Sequence, residues 1–242
     1  VAKNDMAEPG ILGINAGAGL ALAAYVLTDN LSTAMIILGI TVGMVFVAHP
    51  DTRPFIIIGI VGIVLIVIGV LFLVVTTKDS NSFRVMRVLV WLQPENSDEG
   101  GYQTLQALYA IGSGGFFGRG LGNSIQKLGS VPEAQNDMIF SIICEELGVF
   151  GGIFVLILFG YLLYRLFFIA QNAPDLFGSL IVTGIFIHIA LQVILNIAVV
   201  LNLMPNTGVT LPFISYGGTS IVFLMSEMAI ALSVARQIKF QE

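Results

Sequence analysis

The most informative feature of this 242-residue chain is how little charge it carries. Charged residues make up 10% of the sequence and hydrophobic residues 56%, whereas roughly 25% of the residues in a soluble domain are charged. This deficit excludes an ordinary water-soluble domain. It predicts a chain that lies in a lipid bilayer.

Basic residues and cysteine are scarce as well. Lys and Arg number 10 against 15 Asp and Glu, and no basic run or stripe occurs, so nucleic acid is not an expected partner. The one cysteine, Cys144, can form neither a disulfide framework nor a thiolate metal site within the chain. The residues after Val1 lack a basic region followed by an apolar core, so no signal peptide is expected.

Long apolar runs take the place of charge. A transmembrane helix needs about 20 mostly apolar residues, and several runs reach that length. We therefore expect an all-α fold, a polytopic transmembrane helical bundle forming one integral-membrane domain over residues 1–242, with a long external loop that carries short helices. The predicted spans cover residues 11–27, 31–48, 55–76, 102–117, 138–170, 176–204 and 217–236.

The distribution of Lys and Arg predicts the orientation, because cytoplasmic loops carry an excess of them. With the C-terminus inside, six of the ten basic residues lie on the cytoplasmic side: Lys78, Arg84, Arg87, Arg165, Arg236 and Lys239. The loop 112–136 is then external, although it carries Arg119 and Lys127. Basic residues kept on the outer face point to a function such as holding an anionic headgroup.

The external loop is rich in glycine, with seven glycines between Gly112 and Gly129. Glycine allows a ligand to approach backbone N–H groups closely, which suits recognition of a phosphate or diphosphate. A flexible linker is the alternative interpretation. The two cations Arg119 and Lys127 favour the binding site, since a linker would not need them.

Two carboxylates, Glu133 and Asp137, follow at the outer start of the next helix. The helix dipole favours the ionised form of Asp137, which could take a proton from a sugar hydroxyl or hold a divalent cation. An ordinary helix N-cap is an equally good explanation of the residue. Glu145 and Glu146 lie farther along the same helix and are predicted near the outer interface rather than at mid-membrane.

The later spans carry a few polar residues. His188, Gln192 and Asn196 recur every four residues, so they form one stripe on a helix. Hydrogen bonding between helices and the lining of a substrate cavity both explain such a stripe. Glu227 in the last span needs a partner that the sequence does not name.

Several motifs together resemble a known family. These are IGSGGFFGRGLGNSIQKLGSVPEAQNDMIFSIICEELG, the residues Gln192, Asn196 and Ile197, and PFISYGGTS. They resemble the SEDS proteins of bacteria, the RodA, FtsW and SpoVE group, over roughly Asp29 to Arg236, and the match is to the C-terminal six or seven spans. The resemblance implies a multi-pass protein of the bacterial cytoplasmic membrane that polymerises lipid II into peptidoglycan strands at the outer face, in wall synthesis for cell shape, division or sporulation. It also implies a class B penicillin-binding protein as partner.

The same resemblance assigns roles to residues. It places the family's essential aspartate at Asp137, as catalytic base or as ligand of a divalent cation, Mg²⁺ or Mn²⁺. Substrate binding is expected from the remaining candidates, with diphosphate contacts at the two cations: Arg119, Lys127, Glu133, Gln192, Asn196 and Ser215.

Two other functions stay open, one suggested by the polar residues within the spans and the other by departures from the family pattern. The segment Thr28 to Ala34 shares only its Leu and its final Thr-Ala with the family's Gln-Pro-Asp-Leu-Gly-Thr-Ala, and Gly129 stands where the family often has an acidic residue. The segment from Glu8 to Leu20 resembles a stretch of iron-complex ABC permeases. The alternatives are a lipid-linked precursor flippase, which would use the polar residues within the spans, and a non-catalytic scaffold of the cell-wall machinery.

Overall fold

The computed structural model of the chain describes residue 20 and residues 31–48, 90–94, 99–128 and 134–238. These residues form helices and connecting turns, and no strand occurs among them. The helices are α1 Leu31–Ala48, α2 Glu99–Gly114, α3 Ile139–Asn172, α4 Leu176–Val200 and α5 Gly218–Ala235, with a short 3-10 turn at Gln126–Leu128. The all-α prediction is confirmed, while the spans predicted at 11–27 and 55–76 lie outside the described residues.

Three of these helices, α3, α4 and α5, are long and apolar enough to cross a membrane. Residues Ser32–Ala48 of α1 also form an apolar helix, which is shorter than the other three. Every backbone N–H and C=O group inside a bilayer must be bonded within the protein, which a helix achieves along its own length. The chain is therefore a helical transmembrane protein.

The described residues fall into two compact units. We call residues 31–48, 155–195 and 209–238 the bundle unit, and residues 90–94, 99–128, 134–154 and 196–208 the loop unit. Helix α3 begins in the loop unit and ends in the bundle unit. The predicted single domain over residues 1–242 stays a prediction.

Small residues bring α1 and α4 together in the bundle unit. Gly39 lies against Leu191, and Gly43, one turn later, lies against Ile187. A Cβ at either glycine would overlap the side chain opposite. Glycines four residues apart allow close contact between helices in lipid, where hydrophobic burial gives no advantage and packing decides association.

A short turn joins α3 to α4 and fixes where α4 begins. The carboxylate of Asp175 accepts a hydrogen bond from the N–H of Gly178 at 3.2 Å, so Asp175 caps the first turn of α4. The hydroxyl of Ser179 donates to the carbonyl of Ala170, near the end of α3, at 2.8 Å. Polar groups at both helix ends are thus bonded within the turn.

In the loop unit, α4 ends at an asparagine in the left-handed region. Asn202 has φ 55°, and its N–H donates to the carbonyl of Val199 at 2.9 Å while that of Leu203 donates to Ala198 at 2.7 Å. These two bonds form a Schellman motif, which ends a helix and satisfies its last carbonyls. The indole N–H of Trp91 donates to the Asn202 carbonyl at 3.0 Å.

Candidate functional site

The candidate site begins with a break in α3 at Gly148. This residue has φ 71° and ψ −170°, a backbone conformation that residues other than glycine rarely adopt. In an uninterrupted helix, the N–H groups of Val149 and Phe150 would donate to the carbonyls of Glu145 and Glu146. At the break these groups need other partners.

The glycine-rich loop supplies partners for the two carbonyls. The N–H of Arg119 donates to the carbonyl of Glu145 at 3.0 Å, and the N–H of Gly120 donates to that of Glu146 at 2.9 Å. The loop is therefore bound to the helix by its backbone, and a flexible linker does not describe this part of it.

The loop also supplies acceptors for the two N–H groups. Val149 donates to the carbonyl of Gly115 at 2.9 Å and Phe150 donates to that of Phe116 at 3.3 Å. All four backbone groups separated by the break are thus bonded to the segment 115–120. Such replacement is necessary at membrane depth, since hydrocarbon offers no hydrogen bonds.

The close approach of the loop backbone to the helix backbone explains why position 118 is also a glycine. A Cβ at Gly118 would overlap the carbonyl of Glu146 and the backbone N of Gly148. Gly118 also has φ 76°, which a residue with a Cβ would adopt only under strain. The glycines of the loop therefore have a structural purpose here, in addition to any contact with a ligand.

The carboxylate of Glu145 lies at the centre of this arrangement. It is fully buried at 0% exposure. It accepts from the Ser124 hydroxyl at 2.5 Å and from the N–H groups of Ile125 and Gln126 at 3.1 and 3.4 Å. The guanidinium of Arg119 lies 3.5 Å away. A buried carboxylate needs such donors, so Glu145 holds the loop segment 124–126 in place.

The neighbouring carboxylate, Glu146, is closer to the surface. It forms an ion pair with the Lys127 ammonium at 2.7 Å, with 13% of the Glu146 side chain and 37% of the Lys127 side chain exposed. The two predicted site cations, Arg119 and Lys127, are thus each paired with one of two adjacent glutamates. The sequence predicted only the depth of these glutamates in the membrane and assigned them no partner. The signal for a helix break was the glycine two residues after the Glu-Glu pair, within an apolar run.

Asp137 lies just before α3 and is partly exposed. The side-chain amide of Asn196 donates to the backbone carbonyl of Asp137 at 2.6 Å. Asn196 itself is buried, at 1% exposure. This contact joins the end of α4 to the start of α3 within the loop unit and fixes the main chain that carries the Asp137 carboxylate. The candidate Glu133 lies outside the described residues.

The bundle unit contains the other polar candidates. Gln192 is half-buried, and its Oε1 has no hydrogen-bond partner among the described residues. The Ser215 hydroxyl accepts from the N–H of Leu211 at 2.8 Å within the turn before α5. His188 Nδ1 lies 2.9 Å from Glu227 Oε1, which gives Glu227 the partner that the sequence did not name.

The donor set limits how a cation could bind. No group of three or more His, Cys, Asp or Glu side chains suited to a metal ion occurs in the described ranges. Mg²⁺ is often held by one or two carboxylates together with water and substrate phosphate oxygens, and Asp137 fits that kind of site. A cage built from protein ligands alone is not formed by the described residues.

Residues 8–240 of the chain match the FtsW, RodA and SpoVE family, described as "Cell cycle protein". The match takes in Glu8 to Leu20, the segment that the sequence alone likened to ABC permeases. The chain is 40% identical over 226 residues to "Stage V sporulation protein E" of Bacillus subtilis (strain 168), covering 92% of this chain and 60% of that protein. It is 47% identical over 146 residues to "Probable peptidoglycan glycosyltransferase FtsW" of the same organism, covering 60% and 36%.

Solved structures show a similar fold. One, described as "Structural coordination of polymerization and crosslinking by a peptidoglycan synthase complex", aligns with a TM-score of 0.71 at 27% identity, over 93% of this chain and 62% of that one. The Thermus thermophilus rod shape determining protein RodA aligns with a TM-score of 0.58 at 26% identity, over 100% of this chain and 60% of that one. The chain thus spans about 60% of the length of each of these structures.

Proposed function

This chain belongs to the FtsW, RodA and SpoVE family of cell cycle proteins, and on that premise we propose that it acts in a peptidoglycan glycosyltransferase. The reaction joins lipid II units into glycan strands at the outer face of the bacterial cytoplasmic membrane. The curated relatives support this assignment, since one carries the name of a probable peptidoglycan glycosyltransferase. This chain spans 60% or less of the length of the two Bacillus relatives, so the activity of the whole protein is a proposal.

Two chemical requirements connect this reaction to the site. A sugar hydroxyl attacks an anomeric carbon, and a lipid-linked diphosphate leaves. A base must take the proton of the hydroxyl, which contributes about 10²–10⁴ in rate. Positive charge must offset the negative charge that grows on the diphosphate.

The observation that carries the proposal is the placement of Asp137. Asp137 is a partly exposed residue just before α3, and its backbone carbonyl is held by the buried amide of Asn196 at 2.6 Å. A fixed main chain at a partly exposed residue suits a group that must meet a substrate hydroxyl in one geometry. We assign Asp137 as base or as ligand of Mg²⁺ or Mn²⁺, and Asn196 as the residue that positions it.

The cations of the loop are the proposed diphosphate contacts. Arg119 and Lys127 are each 37% exposed in their side chains although each is paired with a glutamate. A guanidinium has five N–H donors and an ammonium three, so each retains donors for phosphate oxygens. In this assignment Glu145 and Glu146 hold the two cations on the loop, and Glu133, Gln192 and Ser215 remain proposed substrate contacts.

Glycan formation tests the proposal. The purified protein is incubated in detergent with lipid II, a divalent cation and its class B penicillin-binding protein, and Asp137→Asn serves as the variant. Asn caps a helix about as well as Asp, so the melting temperature should stay unchanged. Glycan formation should fall by about 10² or more, because the base or cation ligand is lost.

Each outcome of this assay has a meaning. A variant that melts normally and polymerises at the wild-type rate would reduce Asp137 to a helix cap. Wild-type protein that forms no glycan would favour a flippase or a scaffold, since detergent removes the two sides that a flippase needs. A variant with lowered melting is compared again after Asp137→Ser, which also caps a helix but has no carboxylate.

We propose further that the loop 112–136 faces outward, where lipid II is presented. Cysteine introduced by Ser130→Cys should react with a membrane-impermeant thiol reagent in intact cells. The natural Cys144 is buried, so it should contribute little labelling. Labelling that appears only after lysis would reverse the orientation.

A further inference from the structure

The loop that crosses the break in α3 displays large apolar side chains. Phe116, Phe117 and Leu121 are 72%, 84% and 76% exposed, although they lie within six residues of one another. Soluble proteins rarely expose such a contiguous group of large apolar side chains unless it binds something. Something other than water must therefore cover these side chains.

The display is fixed by the backbone. The segment 115–120 makes four backbone hydrogen bonds to α3, so it cannot turn its side chains inward without breaking them. The ring of Phe117 also stacks on that of Phe150, with centroids 6.0 Å apart and planes 8° from parallel. The apolar surface is thus built into the loop unit.

The same surface continues along α3. Phe150, Ile153 and Phe154 are 66%, 51% and 60% exposed, and their spacing of three and four residues puts them on one face of the helix. Helix α3 is apolar and long enough to cross a membrane, so an exposed apolar face of it meets hydrocarbon. Phe117, stacked on Phe150, extends that face beyond the helix.

We propose that Phe116, Phe117 and Leu121 insert into the edge of the phospholipid bilayer at the beginning of the membrane-crossing part of α3. Aromatic side chains commonly lie at this depth, where they anchor a protein. The Glu145 carboxylate lies 3.5 Å from the guanidinium of Arg119, and this partner lowers the cost of holding the charge near the bilayer edge. The insertion of this loop into the bilayer does not depend on the proposed enzymatic activity.

Spin-label accessibility tests the insertion directly. A nitroxide is attached after Phe117→Cys in a Cys144→Ala background, and the protein is reconstituted into vesicles of phosphatidylethanolamine and phosphatidylglycerol. Power saturation then compares oxygen, which concentrates in hydrocarbon, with a nickel chelate, which stays in water. Labels after Ile153→Cys and Asn123→Cys give the matched lipid and water references on the same unit, since Asn123 is an exposed polar residue of the loop.

The expected result is access to oxygen at Phe117→Cys like that at Ile153→Cys, and several-fold less access to nickel than at Asn123→Cys. Nickel access equal to that of Asn123→Cys would overturn the proposal, because the loop would then lie in water. A label reached by neither reagent would overturn it too, because protein would then cover the surface. Leu121→Cys repeats the measurement with the Phe117 and Phe150 stack intact.

Discussion

Helix α3 differs in character between its two parts. In the loop unit, residues 139–154 include a break at Gly148 and two glutamates, and both glutamates are bonded to the preceding loop. In the bundle unit, residues 155–172 are helical throughout, with Arg165 as their one charged residue. The comparison shows what a break in a membrane-crossing helix requires: another segment must supply the hydrogen bonds that the helix gives up.

The two units also hold their acidic side chains differently. Glu145 is 0% exposed and is surrounded by a hydroxyl, two backbone N–H groups and a guanidinium. Glu227 has a side chain 27% exposed and is bonded to His188. The more deeply a carboxylate is buried, the more donors it needs, because fewer water molecules contribute. Glu145 should accordingly be the more costly residue to alter.

The largest expected effect is that of Glu145→Gln. The side-chain N–H₂ group of the new glutamine would face the hydroxyl and N–H groups that now donate to the carboxylate. Arg119 would also lose its ion-pair partner. A buried donor left without an acceptor costs about 1–3 kcal/mol, and three donors are affected, so the free energy of unfolding should fall by at least that amount. Denaturant titration of the protein in detergent measures the change.

Glu146→Gln is the matched control for that measurement. It alters the next residue in the chain, whose ion pair with Lys127 is partly exposed to solvent. Ion pairs of this kind are worth about 0–1 kcal/mol. Equal losses from the two variants would contradict the special role given to Glu145.

The sequence predicted the helices well because apolar length and charge are local properties. It found the runs that became α3, α4 and α5, and it marked Arg119 and Lys127 as unusual cations. It could not find that Glu145 and Glu146 hold them, because the pairs join residues 26 and 19 positions apart in the chain, next to a helix break. Periodicity reports the faces of a regular helix, and Gly148 ends that regularity.

The polar stripe shows the same limit. Four-residue spacing put His188, Gln192 and Asn196 on one helix face, and the sequence left hydrogen bonding and cavity lining open. Asn196 bonds to the Asp137 carbonyl in the loop unit, and His188 pairs with Glu227 in the bundle unit. These partners lie 59 and 39 residues away in the chain, so spacing within one helix could not identify them.

An intermediate effect is expected from Gly148→Ala. The added Cβ would overlap the carbonyl of Phe116, and the alanine would have to adopt φ 71°. Strain of this kind costs about 1–3 kcal/mol, and the loop should loosen from the helix at the same time. Hydrogen exchange of the Arg119 and Gly120 amides measures the loosening, alongside the melting temperature.

Gly160→Ala provides the control within the regular part of the same helix. A Cβ there meets nothing within 4 Å. Alanine favours a helix over glycine by up to about 1 kcal/mol, so this variant should melt at the same temperature or higher. Destabilisation by Gly160→Ala as large as that by Gly148→Ala would remove the distinction between the broken and the regular part.

The smallest effect is expected for the pair of His188 and Glu227, measured by a double-mutant cycle of His188→Ala and Glu227→Gln. Hydrogen bonds between membrane helices contribute about 0.6 kcal/mol on average, because the separated side chains also find other partners. Both side chains here are about a quarter exposed, at 23% and 27%, so alternatives exist for each. The coupling energy should therefore lie near that average. A coupling as large as the loss caused by Glu145→Gln would mean that the bundle unit depends on the contact between His188 and Glu227 as strongly as the loop unit depends on Glu145, and the contrast between the two units would fail.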